Sequence, residues 1–297
     1  MSTIGILNVC KPVGCSSRDA VNCVDRLVRP AKAGHAGTLD PIAAGVLVIC
    51  VGQATRLVQY VQQMHKRYRA TFLFGRRTDT DDTEGQVTLL PDASIPTRTA
   101  LEKVLPQFVG VIQQRPPAHS AVKVAGRRAY KLARRGHEVE LAARPVTVFG
   151  LSIVRFEYPE LQLDIECGSG TYVRALGRDL AEALGTGAVM SALTRTAVGG
   201  FRVEEAVPVD ELTAETLPLH LQPQLAAVPD LPRVTLSAVE LTEIRHGRPI
   251  PMPSGVTDGS PSDNPAEWAA TDATGNLAAI LFEKRPGQLW PKHVLAS

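Results

Sequence analysis

No apolar run in this chain approaches the roughly 18 residues a membrane-spanning helix needs. The longest, Val46-Leu47-Val48-Ile49-Cys50-Val51, is the size of a core element. The N-terminus lacks a basic stretch followed by an apolar one, so no secretory leader is expected. Cysteine is sparse. Cys10, Cys15, Cys23, Cys50 and Cys167 are odd in number, widely spread and never spaced C-x-x-C. That pattern argues against a zinc site or a disulfide framework and for reduced thiols in a cytoplasmic protein. The G-x-x-x-x-G-K-[ST] and G-x-G-x-x-G loops are both absent, so no nucleotide cofactor is indicated. There is no G-x-S-x-G nucleophile elbow and no H-E-x-x-H metal pair. Net charge is only +2, so the overall balance does not announce a polyanion partner.

What is present is ordinary globular composition, 44% hydrophobic and 21% charged, over 297 residues, enough for about two domains. The charge is unevenly spread. Lys123, Arg127, Arg128, Lys131, Arg134 and Arg135 follow one another with no acid between them, flanked by His119 and His137. A second group, Lys66, Arg67, Arg69, Arg76 and Arg77, lies upstream. Clustered cations on a near-neutral chain point to a local polyanion site, against the alternative of a solvated basic surface. The acidic run Thr78–Gly85 imitates a calcium loop but lacks the D-x-D-x-D-G order, so it reads as a polar hairpin or connection.

Taken in order, Ile4–Val9 reads as a strand, and Ser16-Ser17 as the cap of a helix that Pro30 ends. Asp40-Pro41 has the form of a helix opening, with Asp as cap and Pro in the first turn, so Ile42–Val51 is expected to be a buried helix. Thr55 is expected to cap a helix with Leu57, Val58 and Val61 inward. Lys66–Gly75 alternates as a strand, with Tyr68 on the face of Ala70, Phe72 and Phe74; a packed core tyrosine is the plain reading. Leu101–Phe108 reads as a helix after Pro96-Thr97. In the basic segment, Ser120–Val124 reads as a strand and Arg127–Arg135 as a helix. Val146–Phe156 and Leu161–Cys167 form a hairpin, and Gly168-Ser169-Gly170 leads into a helix stopped by Gly185. Arg174 falls in the first turn of that helix, where the macrodipole disfavours a cation, a hint of an anionic partner. Ser191–Phe201 is a further strand. Residues 204–230 look like a connector, and a short β-rich segment restarts at Arg233. Within it Gly255–Asn276 reads as a long surface loop around Trp268, followed by a strand at Asn276–Glu283.

One stretch organises the rest. Gly34-His35-Ala36-Gly37-Thr38-Leu39-Asp40-Pro41 places a carboxylate on a glycine-rich turn. A carboxylate can act as a covalent nucleophile without any cofactor, provided a neighbouring cation keeps it ionised. This stretch resembles the signature of the TruB family of tRNA pseudouridine synthases. Three more segments match that family in order: Lys11-Pro12-Val13-Gly14-Cys15-Ser16-Ser17, then Lys66-Arg67-Tyr68 with Gly75-Arg76-Arg77-Thr78-Asp79-Thr80, then Ser169-Gly170-Thr171-Tyr172-Val173-Arg174. The resemblance covers residues 4 to about 205.

The resemblance implies an α+β (mixed α/β) catalytic domain with a central, largely antiparallel sheet over residues 1–230, and a small β-rich, PUA-like module over 231–297. It implies isomerisation of uridine 55 to pseudouridine in the T-arm of tRNA, with base flipping and with no cofactor or metal. Asp40 would be the nucleophile and Arg174 its ion-pair partner. Tyr68 would stack on the uracil and help remove the C5 proton. His35 would press into the T-loop, and Tyr172 would contact the RNA. Lys11 and Pro12 would be structural. The insert 115–142, carrying Lys123, Arg127, Arg128, Lys131 and Arg134, would be a thumb that holds phosphates. No membrane and no obligatory protein partner are implied, and a monomer is expected. Two rivals are a guide-RNA-dependent synthase of the dyskerin type and a non-catalytic tRNA chaperone. The thumb-like insert and the lack of long basic tails speak against the first. The intact Asp40, Tyr68 and Arg174 speak against the second.

Overall fold

A computed structural model describes residues 3–117, 123–124, 127–128, 141–253 and 267–295. From the N-terminus the elements are β1 (Gly5–Lys11), α1 (Ser17–Leu27), β2 (Ala33–His35), β3 (Ala43–Val51), α2 (Val58–Gln63) and β4 (Lys66–Phe74). They continue with α3 (Arg98–Val104), β5 (Gly110–Gln114), β6 (Arg144–Glu157), β7 (Glu160–Cys167), α4 (Val173–Ala183) and β8 (Ala188–Val198). The strands join one sheet in the order Val207–Pro208, β1, β3, β8, β4, β7, β6, β5, with β2 paired to β3. Every pair along this path is antiparallel except β3 with β8 and β1 with Val207–Pro208. This is the mixed α/β architecture with a largely antiparallel sheet that the sequence led us to expect.

The segment after Asp40-Pro41 differs from expectation: Ala43–Val51 is a strand, not a helix. The reason lies in where its side chains go. Val46, Val48 and Cys50 pack with Ile6, Leu57 and Val61 in one core cluster. Leu47, Ile49 and Val51 pack with Leu7, Val9, Val21 and Val24 in another. A strand buried on both faces reads as a continuous apolar run, which periodicity cannot tell from a buried helix. The β-branched residues settle the choice. Asp40 caps nothing; the Ala43 N–H donates to the Asp40 carbonyl at 3.0 Å in a turn. Thr55 is likewise no cap. It sits in a tight 3-10 turn, Gly52–Leu57, donating its hydroxyl to the Gly52 carbonyl at 2.7 Å, and α2 follows.

α1 forms as expected. The Ser16 side chain accepts from the Asp19 N–H and the Asp19 carboxylate accepts from the Ser16 N–H, a capping box that satisfies two end donors at once. α4 lies over the sheet with Leu176, Leu180 and Ala181 in the cluster of Phe72, Leu161 and Leu163. In the basic segment Lys123-Val124 pairs with Arg127-Arg128 as a two-stranded ladder, so the expected helix does not begin at Arg127. Two residues, one of them glycine, separate those pairs in the chain, the spacing of a tight hairpin. Lys131, Arg134 and the remainder of that expected helix lie outside the described residues.

The C-terminal region is β-rich. It holds β9 (Arg233–Thr235), α5 (Ala238–Arg245), β10 (Ile250–Pro251), β11 (Glu267–Thr271), β12 (Leu277–Arg285) and β13 (Gln288–Val294). Its five strands pair in the order β9, β11, β12, β13, β10. The expected surface loop around Trp268 is corrected here. Trp268 lies in β11 and is 1% exposed, among Val234, Ile244 and Leu281. Residues 254–266 of that loop lie outside the described residues. Ala269, Leu277, Ile280 and Leu295 pack into the same cluster as Ile6 and Val46, so the second sheet leans on the first. No helix among the described residues is long and apolar enough to cross a membrane.

Candidate functional site

The loop Gly37–Asp40 leads into β3 and is held from several sides. The Ser17 hydroxyl donates to the Leu39 carbonyl at 2.9 Å and accepts from the Leu39 N–H at 2.7 Å. The Lys11 ammonium donates to the carbonyls of Pro12 and Cys15, fixing a turn whose Gly14 N–H donates to the Pro41 carbonyl at 2.8 Å. Buried Arg195 on β8 donates to the carbonyls of Val46, Gly37 and Thr38 at 2.7, 3.1 and 3.4 Å. Close approach of β3 and β8 makes this possible. A Cβ on Gly45, at φ +100°, would collide with the Arg195 backbone carbonyl. The loop is therefore rigid, while the Asp40 side chain keeps 38% of its surface exposed.

Opposite it, the start of α4 is fixed by a side chain. The Gln114 carboxamide accepts from the Tyr172 N–H at 2.8 Å and donates to the Tyr172 carbonyl at 3.1 Å. The next turn carries Arg174, whose guanidinium spans two carboxylates, Asp40 at 3.1 Å and Asp82 at 3.0 Å, and also donates to the Thr80 carbonyl at 2.8 Å. Asp82 is buried and fully engaged, accepting from the Thr80 hydroxyl at 2.6 Å and the Glu84 N–H at 3.1 Å. One turn further, Arg178 binds Asp81 at 2.7 Å and the Arg115 carbonyl at 2.8 Å. The pair Arg174 and Arg178 thus pins the Thr80–Asp82 loop to one face of α4.

Between these elements lies a cavity of about 340 Å³, lined by Asp40, Tyr68, Tyr172, Arg174, Lys66 and Arg195, with Gly168–Thr171 along one side. Its volume is in the range of small-ligand sites, roughly 300–1,000 Å³. A larger cavity of about 580 Å³, lined by Tyr60, Met64, Arg67, Glu166, Arg202 and Asp230, holds none of Asp40, Tyr68, Tyr172 and Arg174. Burial pushes the Tyr68 phenol above its ordinary value, with Arg195 opposing, so it stays protonated at neutral pH. Burial also lowers the Lys66 ammonium to about 8, helped by Arg195. The Arg144 guanidinium lies 5.3 Å from the centre of the Tyr172 ring, a cation–π distance.

The structure brings Asp40, Tyr68, Tyr172 and Arg174 to one cavity. His35 stands apart on β2, half-buried, beside but not lining that cavity. Burial holds its imidazole below the ordinary value, with Arg18 and Arg195 adding to the effect, so it is neutral at pH 7. Of the six cations in the basic run, Lys123, Arg127 and Arg128 are described, in their backbone alone. Sequence reasoning missed Asp82, Arg195 and Gln114. The only signals for Asp82 were the Asp81-Asp82 pair inside the acidic run and the i, i+4 spacing of Arg174 and Arg178. Among the described residues no cluster of three or more His, Cys, Asp or Glu side chains could hold a metal ion.

Residues 25–173 match the family model described as TruB family pseudouridylate synthase (N terminal domain), and residues 174–228 match the tRNA pseudouridylate synthase B C-terminal domain. A protein of Arthrobacter sp. named tRNA pseudouridine synthase B is 43% identical, aligned over 94% of this chain and 92% of its own. The protein of that name from Mycobacteroides abscessus is 42% identical over 96% and 94% of the two chains, and that from Dechloromonas aromatica 40% identical over 98% and 95%. Among solved structures, a chain of an H/ACA RNP bound to a substrate RNA containing 2′-deoxyuridine superposes with a TM-score of 0.74 at 22% identity, over 99% of this chain and 85% of its own; that likeness is one of fold.

Proposed function

This chain belongs to the TruB family of pseudouridylate synthases, and from that premise we propose that it isomerises uridine 55 in the T-arm of tRNA, with Asp40 as nucleophile. The observation that carries the proposal is the ion pair of Asp40 with Arg174 at the edge of a cavity that also holds Tyr68. The target nucleotide must leave the T-loop stack to reach that cavity, and an aromatic platform stabilises the flipped base. Tyr68 supplies the platform, and His35, neutral and at the end of β2 just before the Asp40 loop, fills the gap the base leaves. Asp40 attacks C1′ of the ribose or C6 of the base. In either route the N1–C1′ bond breaks with its electron pair on the uracil. The base turns, C5 bonds to C1′, the Asp40 oxygen–carbon bond breaks to return the carboxylate, N1 takes up a proton and the C5 proton leaves. A phenol that stays protonated can take that proton only by passing its own on, so Tyr68 would serve as a relay rather than a resting base. Atoms balance without cofactor, metal or energy source.

The deciding experiment is release of tritium from C5-labelled uridine in a bare T-arm transcript. Release without guide RNA is expected. A protein that binds the transcript and releases nothing would support the chaperone reading, and one that needs a guide would support the dyskerin-type reading. We place the reaction in the cytoplasm, with the protein acting as a monomer, and assign residues 231–297 to a separate PUA-like module beside a catalytic domain of residues 1–230.

The insert 115–142 is assigned to phosphate contacts. Replacing Arg127, Arg128 and Arg134 together with Gln should weaken tRNA binding and make the slope of log K against log salt shallower by roughly 2 to 3. An affinity titration at four salt concentrations measures this; a slope equal to wild type removes the thumb from the binding surface.

A further inference from the structure

Lys66 is, with Arg195, one of two buried cations of the cavity that the reaction above leaves unused. It is 7% exposed, yet it lines the cavity beside Tyr68. The two residues are two apart on β4 and so share one face of the strand. Its ammonium donates to the Gln62 carbonyl, one of three possible bonds. Among the described residues no carboxylate pairs with it. Its charged neighbours do not offset it. Arg195 on β8 is a second cation, which donates to the carbonyls of Val46, Gly37 and Thr38. The Cys167 thiol on β7 is pushed up to about 11 by burial and is neutral. Tyr68 is a neutral phenol, and Asp40 and Asp82 are engaged by Arg174 on α4. A buried cation without a counter-ion is costly unless an anion arrives to meet it.

We propose that Lys66 is a catalytic residue that stabilises the detached uracil, donating to a base carbonyl oxygen while the electron pair of the broken N1–C1′ bond rests on the ring. The charge it meets is absent from the intact uridine and present once the bond is broken, so the contact accelerates chemistry rather than binding. Its place on the face of Tyr68 fits a group that touches the base, not the sugar-phosphate chain. The inference rests on the uridine isomerase reading given above.

The experiment is single-turnover tritium release from the T-arm transcript by wild type, Lys66→Met and Lys66→Arg across pH 6 to 10. Lys66→Met is expected to slow the chemical step by about 100-fold while the concentration giving half-maximal rate changes less than about threefold. Lys66→Arg is expected to recover most of the rate. The wild-type rate should fall as pH rises through about 8, where the ammonium loses its proton. In Lys66→Arg that limb should vanish, because guanidinium stays charged. Thermal melting of each variant separates misfolding from slowed chemistry, and the arginine variant carries the test if Lys66→Met does not fold. A folded Lys66→Met with the wild-type rate, or with weakened binding alone, overturns the assignment, the latter marking a phosphate contact. An alkaline limb unchanged in Lys66→Arg overturns it too. A wild-type protein that releases no tritium overturns the isomerase reading, and this inference with it.

Discussion

Replacing Asp40 with Asn should abolish turnover, by about four orders of magnitude or more, while tRNA affinity stays within about threefold of wild type. The carboxamide matches the carboxylate in shape, so the loop should keep its conformation. That loop is fixed by the backbone bonds of Ser17, Lys11 and Arg195, none of which uses the Asp40 side chain. Arg174 loses one of its two carboxylates and retains Asp82 at 3.0 Å, so its position is preserved. What disappears is the anion that attacks. A uniform-binding role for Asp40 would raise the substrate requirement and spare the rate. A nucleophilic role removes the rate and spares binding. Single-turnover tritium release and a filter-binding titration on the same transcript distinguish the two. Retention of more than about 1% of the wild-type rate would sink the nucleophile assignment.

The chain displays in its sequence those features of the fold that depend on near neighbours. The cap of α1 was legible because Ser16 and Asp19 are three residues apart and satisfy each other. The strand β4 was legible because alternation puts Tyr68, Ala70, Phe72 and Phe74 on one face. β3 was misread as a helix for a physical reason. Its two faces enter two different cores, so the alternation that marks a strand is erased. The site was legible as a set of residue types and illegible as a set of contacts. Arg195 faces Tyr68 across β8 and β4, and that register depends on the whole strand order. Asp82 reaches Arg174 over a separation of 92 residues, and its place in an acidic turn gave no sign that it would be the buried member of the run. The family resemblance supplied the pairing of Asp40 with Arg174; the geometry adds that the same guanidinium answers to a second carboxylate.

That second carboxylate sets the consequence of removing Arg174. Arg174→Met leaves Asp82, 2% exposed in its side chain, as a buried anion without its cation, and should cost about 3–5 kcal/mol of stability together with nearly all activity. Arg174→Lys keeps the charge but not the fork. One ammonium cannot reproduce separate Nη1 and Nη2 contacts to Asp82 and Asp40, so the protein should fold while the rate falls by roughly 100-fold. The double variant Asp82→Leu with Arg174→Met removes both charges. It should regain much of the stability lost in the single variant, because a buried pair exchanged for apolar side chains is near neutral, and it should regain none of the rate. Urea unfolding midpoints measure the first quantity and single-turnover rates the second. If Arg174→Met unfolds within about 1 kcal/mol of wild type, Asp82 has another way to be satisfied and Arg174 does not anchor the site. If the double variant regains rate along with stability, the arginine acts on the fold alone, and Asp40 needs no cation beside it.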